Sequence, residues 1–206
     1  MRIVCLSDTH GLHSSMNVPD ADVLIHAGDL TRFGNLEDIQ HFSVWLDGLP
    51  HRHKLVIAGN HDRLFESNPH IAELSLGNVT YLRDSGVTID GVRFYGSPWQ
   101  PEFYNWAFNL PRGKALAEKW DDIPSDTDIL ITHGPPAGIL DRTKDGNQAG
   151  CEDLLKRIRE LNLKLHVFGH IHEGYGQEKK GNTLFVNAAM CDRLYKAVNF
   201  PVVVDL

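Results

Sequence analysis

Five times along this chain a short apolar run, suited to a buried strand, ends in a small residue and then in Asp, Asn or His. Arg2-Ile3-Val4-Cys5-Leu6-Ser7 leads into Asp8-Thr9-His10, and Asp22-Val23-Leu24-Ile25-His26-Ala27-Gly28 leads into Asp29. Leu55-Val56-Ile57-Ala58-Gly59 leads into Asn60-His61-Asp62. Asp128-Ile129-Leu130-Ile131-Thr132 leads into His133-Gly134, and His166-Val167-Phe168-Gly169 into His170-Ile171-His172. A strand covered on both faces reads as a continuous apolar run, because alternate side chains go to opposite faces. Open α/β folds place their ligands beyond the carboxyl ends of such strands. The pattern predicts five buried strands that deliver metal-ligand residue types to a common edge.

The intervening segments set the fold class. Asn35 to Leu49 reads as a helix, with Leu36, Ile39, Phe42, Val44, Leu46 and Leu49 as its apolar stripe and Asn35 as its cap. Shorter helices are expected across 62–76, interrupted near Pro69, and across Lys114–Trp120 and Cys151–Leu161. From Val79 to Gly96 the pattern alternates, and Asp90-Gly91 marks a two-residue hairpin. A second hairpin should turn near Gly181-Asn182, with a last strand at Phe200–Val204. Ser97–Arg112 is expected to be a long aromatic-rich loop and Gly134–Gly150 mostly loop. Helices among the early strands and hairpins later suit a mixed sheet, or two packed sheets with flanking helices. With 206 residues and no repeat or linker, one domain spanning 1–206 is expected.

Composition narrows the function classes. The formal net charge of -7 disfavours a protein that grips polymeric nucleic acid through phosphate neutralisation. Twelve His against three Cys bias the chain toward nitrogen and oxygen ligands. Cys5, Cys151 and Cys191 are odd in number and scattered, so they are read as buried thiols without a disulfide framework. No apolar run approaches the ~20 residues of a membrane span. The first strand begins at Arg2, which leaves no room for a signal peptide, and a cytoplasmic location is expected.

The polar residues at the strand ends suggest one chemistry. Asp8 and His10 are two apart, as are His170 and His172, and in extended backbone such residues point the same way. Gly28 allows a tight turn before Asp29. Asp8, His10, Asp29, Asn60, His133, His170 and His172 make seven candidate ligands, too many for one divalent ion. Two ions ~3.5–4 Å apart, bridged by a carboxylate, would use them all. Mixed nitrogen and oxygen ligation without sulfur favours Mn, Fe, Zn, Co or Ni over Ca or Mg. The histidines His13, His26, His41, His51, His53, His70 and His166 are read as ordinary core or surface residues, with His26 and His13 best placed to support the ligands.

Asp8-x-His10, Gly28-Asp29, Gly59-Asn60-His61-Asp62, His133 and Gly169-His170-x-His172 together resemble the ordered signature of the calcineurin-like metallophosphoesterase superfamily. Leu130 to Pro136, His166 to Gly176, Phe185-Val186-Asn187-Ala188 and Gly96-Ser97-Pro98-Trp99 are similar to its small metallophosphoesterase-domain proteins of animals and their bacterial relatives. The resemblance implies a four-layer α/β/β/α sandwich of two mixed sheets. It also implies one metal held by Asp8, His10, Asp29 and His172, and a second by Asp29, Asn60, His133 and His170, with Asp29 bridging. His61 takes the family's position for the catalytic histidine. Gly28-Asp29-Leu30-Thr31-Arg32 lacks the second Asp that the family's protein phosphatases carry.

The expected reaction is hydrolysis of a small phosphodiester, with 2′,3′ or 3′,5′ cyclic nucleotides as leading substrates implied by the resemblance. Two transition-metal ions, Mn foremost, would bind the phosphoryl oxygens and lower the pKa of a bridging water, whose hydroxide would attack phosphorus in line. His61 would protonate the leaving oxygen or stabilise developing charge. Asp62 would orient His61, or else cap a helix. Trp99, Phe103, Trp106 and Phe108 are substrate-stacking candidates, whereas 141–150 is expected to be a solvated loop. Rival readings are a phosphomonoesterase or nuclease on the same site, or a nucleotide-binding regulatory or scaffold protein with residual activity. No membrane or polymeric nucleic-acid partner is expected.

Overall fold

Strand β1 (Arg2–Leu6) sends Ile3 and Cys5 to one side and Val4 and Leu6 to the other, and all four are fully buried. That split organises the whole molecule, which a computed structural model describes over residues 1–206. The strands that follow are β2 (Val23–Ala27), β3 (His53–Ile57), β4 (Thr80–Tyr81), β5 (Ser85–Ile89) and β6 (Val92–Ser97). After them come β7 (Gln100–Pro101), β8 (Asn109–Leu110), β9 (Ile129–Thr132) and β10 (Leu165–Phe168). The last are β11 (Gly176–Lys180), β12 (Thr183–Asn187) and β13 (Val202–Asp205). One sheet has the order β13-β1-β2-β3-β4, and the other β11-β12-β10-β9-β6-β5. In the first, β1 to β4 run parallel and β13 antiparallel. In the second, the β12-β10-β9-β6 core is parallel and both edge strands are antiparallel. Both sheets are therefore mixed.

Ile3, Cys5, Ile25, Leu55 and Ile57 meet Ile129, Ile131, Leu165 and Val167 in one apolar layer between the sheets. The outward side chains Val4, Leu6, Leu24 and Val56 pack under helices α1 (Leu36–Asp47), α2 (Arg63–Ser67) and α3 (Pro69–Ser75). Leu130 and Phe168, on the far side of the second sheet, pack under α4 (Lys114–Asp121) and α5 (Glu152–Ile158). The result is the four-layer α/β/β/α sandwich. The expected elements form, with two adjustments. The stripe of α1 is carried by Ile39, Phe42 and Leu46, while Leu36 and Val44 stay exposed because that face has no neighbouring layer. Asn35 does cap α1, its Oδ1 accepting from the Asp38 amide at 2.8 Å. The aromatic segment after β6 is not all loop, since β7 and β8 pair in parallel within it.

The sheets are stitched at the edge where the ligand types emerge. The Ser7 amide donates to the Ala188 carbonyl at 2.9 Å, and the Met190 amide donates to the Ser7 carbonyl at 2.8 Å. Asp8, Asp29, Asn60, His133 and His170 all follow the carboxyl ends of central strands at this junction.

Candidate metal centre

Asp8 and His10 leave β1 in left-handed backbone, with φ of 52° and 44°, and Asp29 and His170 do the same at 54° and 64°. Such values are uncommon for residues bearing a Cβ and concentrate at functional sites. The expectation that Asp8 and His10 converge by strand alternation is therefore corrected. They converge through a turn pinned by the Asp8 amide to the Gly28 carbonyl, at 2.9 Å, and the His10 amide to the Asp29 carbonyl, at 3.1 Å.

The side chains meet closely. His172 Nε2 is 3.1 Å from Asp8 Oδ1 and 3.2 Å from His10 Nε2. His10 Nε2 is 3.9 Å from Asp8 Oδ1 and 3.8 Å from Asp29 Oδ2. His133 Nε2 is 3.5 Å from Asp29 Oδ2 and 2.9 Å from Asn60 Oδ1. Three donor groups result: Asp8, His10 and His172; His10, Asp29 and His61; and Asp8, Asp29 and His133. Asp8, His10 and Asp29 each belong to two of them. His170 stands beside them, its amide donating to Asp8 Oδ2 at 3.0 Å and its ring 5.0 Å from that of His133.

This donor set fits divalent cations. His133 Nδ1 donates to the Ala27 carbonyl at 2.9 Å, and His172 Nδ1 to the Asp192 carbonyl at 3.0 Å. Both rings therefore aim Nε2 inward, the arrangement by which proteins orient metal-binding imidazoles. Inward lone pairs facing two buried carboxylates call for positive charge. Burial pushes His133 down, yet the charge and hydrogen bond of Asp29 carry it to about 9. Burial likewise opposes His172, and Asp8 lifts it to about 9. Burial also works against ionised Asp8, but His172, His133 and His10 hold it well below the usual carboxylate range. Burial, with the charge of neighbouring imidazoles, prevails at His10 and His170, which fall to about 4 and about 3. Without a metal, the carboxylates draw protons onto two of the imidazoles. The backbone is shaped to the same end: a Cβ at Gly59 would overlap Asp29 Oδ1, and one at Gly169 would overlap Asp8 Oδ2.

His61 sits at the rim. Its amide donates to Asp29 Oδ1 at 2.8 Å, and its Nε2 lies 4.0 Å from Asp29 Oδ2. Its Nδ1 donates to the Arg32 carbonyl at 2.8 Å, so Arg32 orients the ring and Asp62 does not. Nor does Asp62 cap α2 through its side chain. It is fully buried and accepts from the amides of Leu30, Thr31 and Gly59 and from the Thr31 hydroxyl, at 2.8–3.1 Å. Both sequence readings of Asp62 give way to a third: it staples the Asn60-His61 turn to the segment after Asp29. Burial and the charge of Asp29 push its carboxyl up to about 6.

Two buried histidines act in parallel. His26 Nε2 lies 3.0 Å from the hydroxyl of Thr9, between Asp8 and His10. His166 Nε2 lies 2.9 Å from the hydroxyl of Thr132, which precedes His133. Burial pushes both imidazoles down to about 3, so they stay neutral. The sequence reads His166 as ordinary, yet its setting inside an apolar run repeats that of His26. His13 packs instead on Phe42 and Trp45.

A cleft of about 520 Å³ opens over Asp29, Asn60, His170 and His172. Phe103 and Trp106 line it as expected, Trp106 with its ring 4.3 Å from that of His61. Trp99 and Phe108 do not. Phe108 is fully buried in the core under α1, and Trp99 donates its indole N–H to Asp84 at 2.8 Å while packing on Phe108. The β7–β8 pairing folds the segment back on itself, turning those two rings inward. Thr143, Lys144 and Asp145 form part of a wall, which corrects the reading of 141–150 as merely solvated. Tyr195, 4.7 Å from the His10 ring and in left-handed backbone, was invisible to pattern reading because it follows no strand or motif.

Comparison with known proteins agrees with this geometry. Residues 1–174 match the calcineurin-like phosphoesterase family. The chain is 47% identical to human metallophosphoesterase domain-containing protein 1, the alignment covering 100% of this chain and 71% of that protein. It is 42% identical to a UPF0046 protein of Caenorhabditis elegans, covering 98% and 74% of the two chains. Among solved structures, TT1561 of Thermus thermophilus superposes with a TM-score of 0.61 at 19% identity, covering 90% of this chain and 88% of that one. Phosphopantetheinyl hydrolase from Mycobacterium tuberculosis gives 0.57 at 16% identity, covering 91% and 88%.

Proposed function

Since this chain belongs to the calcineurin-like phosphoesterase family, we propose that it is a dinuclear-metal-dependent phosphodiesterase of small substrates, cyclic nucleotides above all. The observation that carries the reading is Asp29, whose carboxylate faces His10 and His133 from between two donor groups, as a bridging ligand would. Asp8, His10, Asp29 and His172 would hold one ion, and Asp29, Asn60, His133 and His170 the other. Mn is taken as the leading ion among the Mn, Fe, Zn, Co and Ni that a mixed nitrogen and oxygen set accepts. When bound, the pair supplies Lewis acidity toward the phosphoryl oxygens and a water of lowered pKa.

The chain's own residues do the rest. His61, held by the Arg32 carbonyl, keeps Nε2 toward the centre, where it can hand a proton to the leaving oxygen. The open cleft, walled by Phe103, Trp106 and Tyr195, has room for substituents on both sides of a phosphate and supports a diester over a monoester. The net charge of -7 supports a small substrate over a nucleic-acid polymer.

The test is to assay metal-loaded protein against bis-p-nitrophenyl phosphate, p-nitrophenyl phosphate and the 2′,3′ and 3′,5′ cyclic nucleotides. Turnover of the diesters is expected. Hydrolysis of the monoester alone would overturn the diesterase reading, and no turnover with Mn, Co, Ni, Zn or Fe would favour a binding role.

A further inference from the structure

Across His61 from the metal ligands lies a second, smaller cavity of about 330 Å³, lined by Arg32, Phe33, His61, Arg63, Trp106 and Tyr195. It adjoins the main cleft, because His61, Trp106 and Tyr195 line both. Its volume is at the small end of the range for ligand pockets. No carboxylate lines it, although the chain is acidic overall.

Both arginines are available to a ligand. The arginines paired with carboxylates are Arg2, Arg93 and Arg157, and Arg32 and Arg63 are not among them. The Arg32 guanidinium is steadied instead by aromatic faces, 5.5 Å from the Phe33 centroid and 5.6 Å from that of Tyr195. Backbone contacts fix the two arginines relative to each other. The Leu64 amide donates to the Gly34 carbonyl at 3.2 Å, and a Cβ at Gly34 would overlap the His61 carbonyl and the Arg63 amide. Asp62 binds the same two segments together from beneath. The residue that orients His61 through its carbonyl thus also offers its guanidinium to whatever lies beyond His61.

We propose that this cavity is a phosphate subsite on the leaving-group side, and that the preferred substrate is a nucleoside phosphodiester carrying a second, terminal phosphate. The assignment rests on the phosphodiesterase reading, in which His61 faces the leaving oxygen. With the scissile phosphorus over the metal ligands, the sugar that retains the leaving oxygen passes His61 between Trp106 and Tyr195. Its far phosphate then meets the Arg32 and Arg63 forks, whose planar donors match phosphate oxygens.

The experiment compares adenosine 2′,3′-cyclic phosphate with its 5′-phosphorylated counterpart in the metal-loaded protein. The 5′-phosphate is expected to raise kcat/KM by about tenfold or more, the scale of one charge-assisted contact. In Arg32→Gln/Arg63→Gln that ratio should fall to near one. In Lys156→Gln/Arg159→Gln, which removes equal charge from exposed positions at the far helix α5, it should stay as in the wild type. Equal kcat/KM for the two substrates in the wild type, or a ratio that survives the Arg32/Arg63 change, would overturn the proposal. If neither compound is hydrolysed, bis-p-nitrophenyl phosphate and adenosine 3′,5′-cyclic phosphate decide the diesterase reading separately, and calorimetric binding of adenosine 3′,5′-bisphosphate against adenosine 3′-monophosphate decides the subsite. Tighter binding of the bisphosphate, lost in the Arg32/Arg63 variant, supports it; equal binding in the wild type removes it.

Discussion

Asp62→Asn separates two accounts of the segment beside His61. The wild-type carboxylate serves four donors, two on each oxygen: Thr31 N and Oγ1 on Oδ1, Leu30 N and Gly59 N on Oδ2. The amide keeps one oxygen, and its NH₂ must face either Leu30 N and Gly59 N, or Thr31 N and a hydroxyl that can turn to accept, so one or two donors lose their acceptor. Each buried donor so orphaned costs about 1–3 kcal/mol. The replacement also removes a buried carboxylate whose ionisation is disfavoured, its pKa having been raised to about 6. The net expectation is a loss on the order of 1–3 kcal/mol, the cost of one orphaned amide. Urea denaturation of the metal-free protein measures it as a shift in midpoint at constant slope. Because the Asp62 carboxylate holds the Gly59 amide, at the start of the Asn60-His61 turn, and not the His61 ring, the variant should bind metal more weakly, and saturating metal should restore most turnover. A change below about 0.5 kcal/mol, within the ordinary range of surface substitutions, would refute the stapling role. Turnover that stays low at metal saturation would show that Asp62 acts through His61 after all.

Further expectations follow from the same geometry. His61→Ala should keep its metals and lose about 10²–10⁴ in kcat, the range of a general acid; full turnover with metal bound would remove His61 from the chemistry. Trp106→Ala should raise KM with little change in Tm, whereas Trp99→Ala should lower Tm with little change in KM, because Trp99 ties Asp84 to the core; the reverse split would put the wrong ring in the cleft. Metal uptake near pH 7 should release protons. His133 and His172 are protonated there in the metal-free protein, with values near 9, and they must shed those protons to bind metal. Affinity should therefore rise with pH up to about 9 and level off above it, as calorimetry in buffers of different ionisation enthalpy would show.

Much of the site was legible because it hangs on strands buried on both faces. Ile3, Val4, Cys5 and Leu6 must all be apolar when two layers flank β1, so the run and its polar terminus stand out from the noise of surface positions. The same holds for Leu165, Val167 and Phe168, and these runs, though His26 and His166 interrupt two of them, located Asp8, Asp29, Asn60, His133 and His170 together. Less was legible where irregular backbone decides. The left-handed turns at Asp8 and His10 leave no mark in side-chain periodicity, so convergence was expected for the wrong reason. Asp62 serves backbone amides distant in sequence, which no local spacing reveals. Trp99, Phe103, Trp106 and Phe108 look alike in composition, and only the β7–β8 pairing sorts them into core and cleft. Tyr195 reaches the centre from a segment with no periodicity of its own.

The central claim is a metal pair bridged by Asp29. Its most direct test loads the metal-free protein with Mn and records, on the same sample, the metal content per chain and the low-temperature electron paramagnetic resonance spectrum. Two ions per chain with the signature of an exchange-coupled pair, lost in Asp29→Asn, is the predicted result. One ion per chain, or two with uncoupled spectra that persist in Asp29→Asn, would contradict it.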